Sequence, residues 1–554
     1  MLELLQHIQA REIKDTKVLQ ELLVMSLNVI EQQAEELAAF REEIQSLKDE
    51  INRLKGEEGQ PKFKSKSRLS SFGSREAKSK TSSKKRSKNH KKGGKSSKIP
   101  IDKIELSTLS EADLPSDAVL KYYDKVIQQD LQLIRVNTLY KVGVYYSPTL
   151  QKPFRAPYPS TYQGAFGSGL QSLTHLLHHY CDVTQGRLEA LYKSCGVLIS
   201  SGTICNILLR SHDWAVKEQV GILKSGIAHS PYTQIDGTKS VEKGVRKTTQ
   251  IICGAYFSVF YTLGDKSRQS VLKAIMGNPE DGLKIAYNHY SQSLLNYFGV
   301  AQKDQAFLKA YLTKDKVLSL KRFDAEFKTA APQIYQKRNM YTRIKEALCL
   351  GYYHVQTEFP RIEDLLSDDA PEYRKIVTTH HALCWIHDER YYKKLNPKIR
   401  VHRTILEQTL ETYWEFYRQL LDFKTLPDEA QATQKDELLK RFDTIFTQQT
   451  DYFQLNQCLE RTLKNKDKLL AVLENPALPL HNNNAELGAR RIVRKRDISL
   501  HTWSEKGTQV RDAFLSIVQT AEKLGISALD YIQDRVTKKY QIPSLEHLII
   551  IAYS

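Results

Sequence analysis

Three carboxylates stand where an α/β protein keeps reactive groups. Asp236 ends the strand-like run "YTQIDGT", Asp368 closes "EDLLSD" with Asp369 behind it, and Glu486 lies near a helix start in "HNNNAELGARRIVRKRDIS". Acids at the ends of neighbouring strands point into the crevice where α/β sheets bind ligands. Brought together alone they repel, and one takes up a proton. With hard divalent cations they become ligands, because Mg²⁺ prefers oxygen donors and leaves room for substrate phosphates. Two such ions, about 3.5 to 4 Å apart, clamp the attacking and leaving oxygens of an in-line phosphoryl displacement. Taken singly, each acid is equally a turn or helix-cap residue.

Two further groups sit beside these acids. Glu486 is followed by Arg490, Arg491, Arg494, Lys495 and Arg496. A salt-bridged surface helix would carry such a stripe, and so would a metal ligand next to a polyanionic substrate. Cys384 and His387 have the spacing of half a zinc site, with no second half nearby. The plainer reading puts Cys384 and Trp385 in the core and leaves His387 as a polar contact.

The elements that must position these groups can be read from composition and period. "YTQIDGT", "VRKTTQIICGAYFSVFYTLG" and "PRIEDLLSDDA" are rich in Ile, Val, Thr and aromatics and predict strands. Helical patterns separate the second from the third and follow the third, which predicts an α/β core. Residues 267–350 and 402–472 read as wholly helical. The latter begins with Ile405, Leu406, Leu410, Trp414, Tyr417 and Leu421 at helical spacing and breaks at Pro427. Upstream, 168–214 predicts three short helices, with Gly196 as a break and Ser200 or Ser201 capping a helix that carries Ile204, Ile207 and Leu208. That pattern fits a helix-turn-helix and an ordinary helical hairpin equally.

Near the N-terminus, Leu23, Ile30, Leu37, Ile44 and Ile51 fill one heptad position and Phe40, Leu47 and Leu54 the other; Ser26 and Gln33 weaken the early seam. A 3.5-residue apolar period predicts a coiled coil with a second copy, the alternative being a helix packed on its own chain. Between Lys62 and Lys98 stand 15 Lys or Arg against Glu76 alone, which is +14 of the net +18. This Lys-, Ser- and Gly-rich stretch predicts a disordered linker that touches phosphates without sequence preference. The 7 cysteines include no C-x-x-C pair, the usage of a reduced intracellular protein. No apolar run is long enough to span a bilayer. The expected protein is therefore soluble and cytoplasmic.

"HNNNAE" followed by "RKRDIS" and "SEKGTQVRDAFLSIVQTAEKLGISALDYIQDRV" resembles the C-terminal signature of insertion sequence 66 family transposases. "HHALCWIHDERYYKKL" resembles that family's C-W-x-H block, and "GLQSLTHLL" with "LISSGTICNILL" its upstream segment. The resemblance covers most of 168–264 and 360–536 and is poor across 267–350. It implies a mixed α/β protein: a ribonuclease-H-like DDE catalytic core with all-α insertions, preceded by a coiled coil and a helical DNA-binding region. The expected divisions are a coiled coil at 1–58, a basic linker at 59–100 and a helical DNA-binding region at 101–225. A catalytic domain at 226–500 follows, with insertions at about 267–350 and 400–475, and then a helical region at 501–554.

In that frame Asp236, Asp368 and Glu486 hold two Mg²⁺ ions, for which Mn²⁺ can substitute. Arg490, Arg491, Arg494, Lys495, Arg496, His387 and Arg390 contact double-stranded DNA, and a homo-oligomer forms through the coiled coil. The implied activity is cleavage and strand transfer at the ends of an insertion sequence. A catalytically impaired DNA-binding descendant and a nuclease that cleaves without joining are the alternatives. The sequence departs from the family pattern at Gly237 (Glu is usual), His481 (Asp), Leu487 (Arg) and in the cysteine-free "YKVGVYYSPTLQKPFRAPYP".

Overall fold

The computed structural model describes residues 15–54, 99–107, 122–123, 126–160, 162, 164–312 and 317–554. The basic linker expected at 59–100 lies, but for its last two residues, outside the described residues. By chain contacts, residues 1–36 with 138–554 form one unit and 37–137 another.

One long helix, α1 (Thr16–Leu54), carries the heptad. An exposed hairpin pairs Val144–Ser147 with Lys152–Arg155. Four helices follow: α2 (Ser168–His175), prolonged by a π turn (Leu176–Tyr180), then α3 (Gln185–Ser194), α4 (Ser201–Arg210) and α5 (His212–His229). Gly196, at φ 76°, makes the turn between α3 and α4 that a side chain would strain. Ser200 caps α4 by accepting from Thr203 N at 3.3 Å.

The central sheet holds β1 (Thr233–Glu242), β2 (Val245–Cys253), β3 (Ser258–Leu263), β4 (Asp364–Ser367) and β5 (His380–Leu383). Its order is β3-β2-β1-β4-β5. The first three are antiparallel, and Lys243 and Gly244, at φ 49° and 79°, supply the two-residue hairpin turn. β4 and β5 run parallel to β1. Parallel neighbours need long crossovers, and a helical excursion from Arg268–Ile275 to Arg338–Val355, with a small ribbon of Lys284–Ile285 against Leu318–Ser319, fills the gap before β4.

After β5 the chain leaves the sheet again through α6 (Trp385–Lys394), α7 (Arg400–Phe423), α8 (Asp428–Phe446) and α9 (Phe453–Lys464). It returns as α10 (Asn483–Ser499), followed by α11 (Glu505–Lys523), α12 (Ala528–Thr537) and α13 (Leu545–Tyr553). One face of the sheet packs Ile252 and Val259 into the large core with Ile222, Phe514 and Ile549. On the other face Ile251 and Phe260 meet Ile492 of α10 and Leu515 of α11. The second excursion has a separate aromatic core around Trp385, Tyr413, Phe416, Phe442 and Phe446.

The first half of α1 is docked on this second excursion. Asn28 donates to Asp451 O at 2.7 Å and accepts from Phe453 N at 2.9 Å. Buried Glu31 accepts from Lys398 N and Ile399 N and lies 3.1 Å from His402 Nδ1. These two N–H groups lie just ahead of α7, where a carboxylate also meets the positive end of the helix. Part of α1 thus packs on its own chain, while Leu23, Ile30, Leu37, Phe40, Ile44 and Leu47 stay exposed. The side chains of Ile51 and Leu54 lie outside the described residues. Among the described residues no helix is long and apolar enough to cross a membrane.

Candidate active site

β1 and β4 pair with Gln234 opposite Leu366. Two places on, the same register sets Asp236 beside Asp368, and a period of two puts both on one side of the sheet. Asp236 is also opposite Ile251 of β2, and cross-strand partners share a face. Ile251 packs on α10, so the acids face the helix that carries Glu486 in its first turn. Asn482, just ahead of α10, donates from its side chain to Ile235 O at 2.8 Å and ties the helix start to β1. At Gly488 an added Cβ would lie 2.8 Å from Ile251 Cγ2, so the missing side chain is what lets α10 approach the sheet.

The electrostatics follow from this placement. Burial pushes the Asp236 carboxyl up to about 6, with Asp368 and Glu486 adding to the rise. The Gly237 N–H, 2.7 Å from Asp236 Oδ1, and the charge of Lys266 act against it. Asp369 is turned elsewhere: its oxygens accept from Arg374 and Arg461, both at 2.9 Å. Asp368 accepts from Ala370 N at 3.2 Å. Glu486 has two cations on it, Arg390 at 3.2 Å and Arg490 at 3.8 Å, and His387 Nδ1 lies 3.6 Å away.

Residues 364–510, from the first residue of β4 into α11, match the family model described as "Transposase IS66 family". Over these residues the chain is similar to IS66 family transposases. The match takes in Asp368, Cys384, His387 and Glu486, and stops short of Asp236. The protein y4jO of Sinorhizobium fredii, described as uncharacterized, is 29% identical over 326 residues, which are 57% of this chain and 94% of that protein. No solved structure matches the chain.

Within the matched segment, Cys384 and His387 stand at the junction of β5 and α6. Cys384 Sγ, a His387 ring nitrogen and a Glu486 oxygen lie within 4.8 Å of one another, a grouping that could hold a metal ion. The buried thiol accepts from Asn482 N at 3.2 Å, and burial pushes its pKa up to about 11. As a neutral thiol Cys384 links the starts of α6 and α10. Trp385 is fully buried. His387 Nδ1 is enclosed without a hydrogen-bond partner, and burial lowers its pKa.

The basic stripe of α10 divides by helical phase. Arg490 and Arg494 face solvent. Arg491 pairs with Glu522 at 3.8 Å and covers the Tyr180 ring. Arg496 donates to Lys239 O at 2.9 Å. Lys495 departs from its expected role as a DNA contact: it is buried, with its ammonium on His178 O and 3.5 Å from Asp182. Nine residues at 100° each set it half a turn from Glu486, a signal the sequence already held.

Sequence reasoning passed over two residues at this site. Lys266, after β3, is a cation whose charge reaches both Asp236 and Asp368. The Tyr373 hydroxyl occupies the space over Gly237, 3.0 Å from where a Cβ would stand. It also lies 3.3 Å from Gln250 Oε1. Neither carries a local motif, so only the fold reveals them. Of the other departures, His481 and Leu487 both point to solvent.

Proposed function

We propose that the chain is a DDE transposase that cleaves DNA strands at element ends and joins them to target DNA, with Asp236, Asp368 and Glu486 as its metal-binding carboxylates. The observation that carries this is Asp236 at about pKa 6, raised first by burial and then by the charges of Asp368 and Glu486, which reach it from beside β4 and from α10. Carboxylates whose charges reach one another form a donor set that a hard cation could draw together. The order of the sheet, three antiparallel strands continued by two parallel ones, supports reading the core as ribonuclease-H-like.

Mg²⁺ or Mn²⁺ bound there would supply Lewis acidity to the phosphate and lower the pKa of the attacking water or 3′-hydroxyl. The chain's own groups do the rest. Asp236 gives up its proton to become a ligand, Arg390 and His387 orient Glu486, and solvent-facing Arg490 and Arg494 hold backbone phosphates. Two in-line displacements follow: water on the element end, freeing a 3′-hydroxyl, and that hydroxyl on target DNA. The exposed heptad of α1 is the surface for pairing with a second copy.

The test is Glu486→Gln assayed on plasmid DNA in Mg²⁺ and in Mn²⁺. Loss of nicking with DNA binding retained supports the assignment, and near-normal nicking overturns it. The grip of Arg390 on Glu486 favours a second reading, a DNA-binding protein without catalysis. Wild-type protein that binds DNA but neither nicks nor joins it would establish that reading.

A further inference from the structure

We propose that a cavity at the far end of α10 receives one unpaired nucleobase, with Trp503 as the ring on which that base stacks. The inference rests on the DNA-acting reading above and adds a site for strand conformation, separate from the carboxylates.

The cavity has a volume of about 450 Å³ and lies between the end of α10, the π turn, α4 and the start of α11. That is within the ~300–1,000 Å³ of pockets built for small molecules or single groups. His179 lines it. This ring is 3% exposed and stacks on Phe514 at 4.6 Å, yet neither ring nitrogen has a hydrogen-bond partner. Burial holds its pKa well below the usual histidine value, so the neutral imidazole offers one donor and one acceptor. A buried donor and acceptor with nothing to bind are costly, and a base edge carries the complementary atoms.

The mouth is aromatic and apolar. Trp503 is 77% exposed, beside exposed Leu500 and Ile498. His501 meets the indole edge-on at 4.4 Å and steadies it. Leu500 holds φ 60°, ψ −63°, a strained backbone for a branched residue; strain of this kind collects at functional turns. The other tryptophans offer no such platform: Trp385 is buried, and Trp214 and Trp414 are packed against cores.

Charge and spacing select a nucleic acid strand as the occupant. Glu486, Arg490, Arg494 and Ile498 recur every fourth residue, so they wind along one side of α10 from the acids to the cavity mouth. Twelve residues rise about 18 Å. A strand advancing about 3.4 Å per nucleotide covers that in roughly five steps. Stacking on Trp503 needs a free base face, so the base must leave the duplex, as at a frayed or melted end.

The experiment uses full-length protein with two fluorescein-labelled probes: a blunt duplex and the same duplex with a six-thymidine single-stranded tail. Wild type should prefer the tailed probe about tenfold or more, the scale of one base–aromatic stack. Trp503→Ala should lose that preference and Trp503→Phe should keep most of it. Arg494→Ala should weaken both probes alike. Tailed DNA should also quench tryptophan fluorescence in wild type but not in Trp503→Phe. Equal affinity of wild type for both probes, or an unchanged preference in Trp503→Ala, overturns the base site while leaving the DNA reading in place. Binding to neither probe overturns both, and Trp503 is then a protein-docking residue.

Discussion

Two aspartates, Asp236 on the sheet and Asp388 in the second helical excursion, are both pushed up to about 6 by burial. Their surroundings differ. Asp388 receives hydroxyl donors from Thr462 at 2.7 Å and Tyr413 at 3.3 Å, with Trp385 and Tyr392 packed close by. Asp236 has one backbone N–H and two other acids whose charges reach it. The first is a polar group made comfortable inside an aromatic core. The second has like charges nearby, which fits the cation site proposed above. Under that proposal the same rise marks packing in one place and a metal-binding group in the other.

The largest effect is expected on the aromatic side. Trp385→Ala removes a fully buried ring and its Nε1–H bond to Leu469 O at 2.9 Å. It should cost about 3–5 kcal/mol in urea unfolding. A loss below about 1 kcal/mol would mean that the excursion does not depend on this core.

Asp236→Asn should act in the opposite direction. A folded-state pKa above the unfolded one makes the ionised acid a liability. The wild type therefore carries no penalty below about pH 4 and loses stability as pH rises through about 6. At pH 7 without divalent cation, Asp236→Asn should be more stable by about 3 kcal/mol. The gain should vanish at pH 4, and strand cleavage should fall to background. Asp388→Asn should give a smaller gain: it escapes the same ionisation cost, but it puts amide N–H groups where a buried carboxylate oxygen stood. Equal stabilisation by both variants would dissolve the contrast. In wild type, Mg²⁺ should raise the melting temperature at pH 7 through Asp236, and the variant should lose this response.

A smaller effect is expected where α1 meets the excursion. Glu31→Ala leaves the N–H groups of Lys398 and Ile399 without their acceptor. It should cost about 1–3 kcal/mol, read by faster proteolysis between α1 and the rest of the chain. Smallest in stability is Arg390→Ala, whose half-exposed ion pair contributes under about 1 kcal/mol. Its effect should appear in catalysis, as a changed Mg²⁺ requirement for nicking. An unchanged metal titration would show that Arg390 does not orient Glu486.

Much of this organisation was legible in the chain because it is local. β-branched runs predicted β1 to β4, and apolar residues at helical spacing predicted the excursions. Ser200 announced its cap. β5 escaped notice because "HHAL" is short and half polar, and it becomes a strand only by pairing with β4. The three acids were legible as candidates, whereas their meeting was not. It depends on the β1–β4 register and on α10 returning across more than a hundred residues.

The sequence by itself determined the residue types: carboxylates at strand ends, a basic helix and a heptad. These follow from short-range period and composition, which act before any fold exists. Tertiary structure alone decided which of them do what. It turned Asp369 to two arginines and left Asp368 beside Asp236. It spent Lys495 inside the protein and docked part of α1 on its own chain through Glu31. Those outcomes depend on desolvation and on partners distant in sequence, whose cost or benefit appears only once the neighbours are in place.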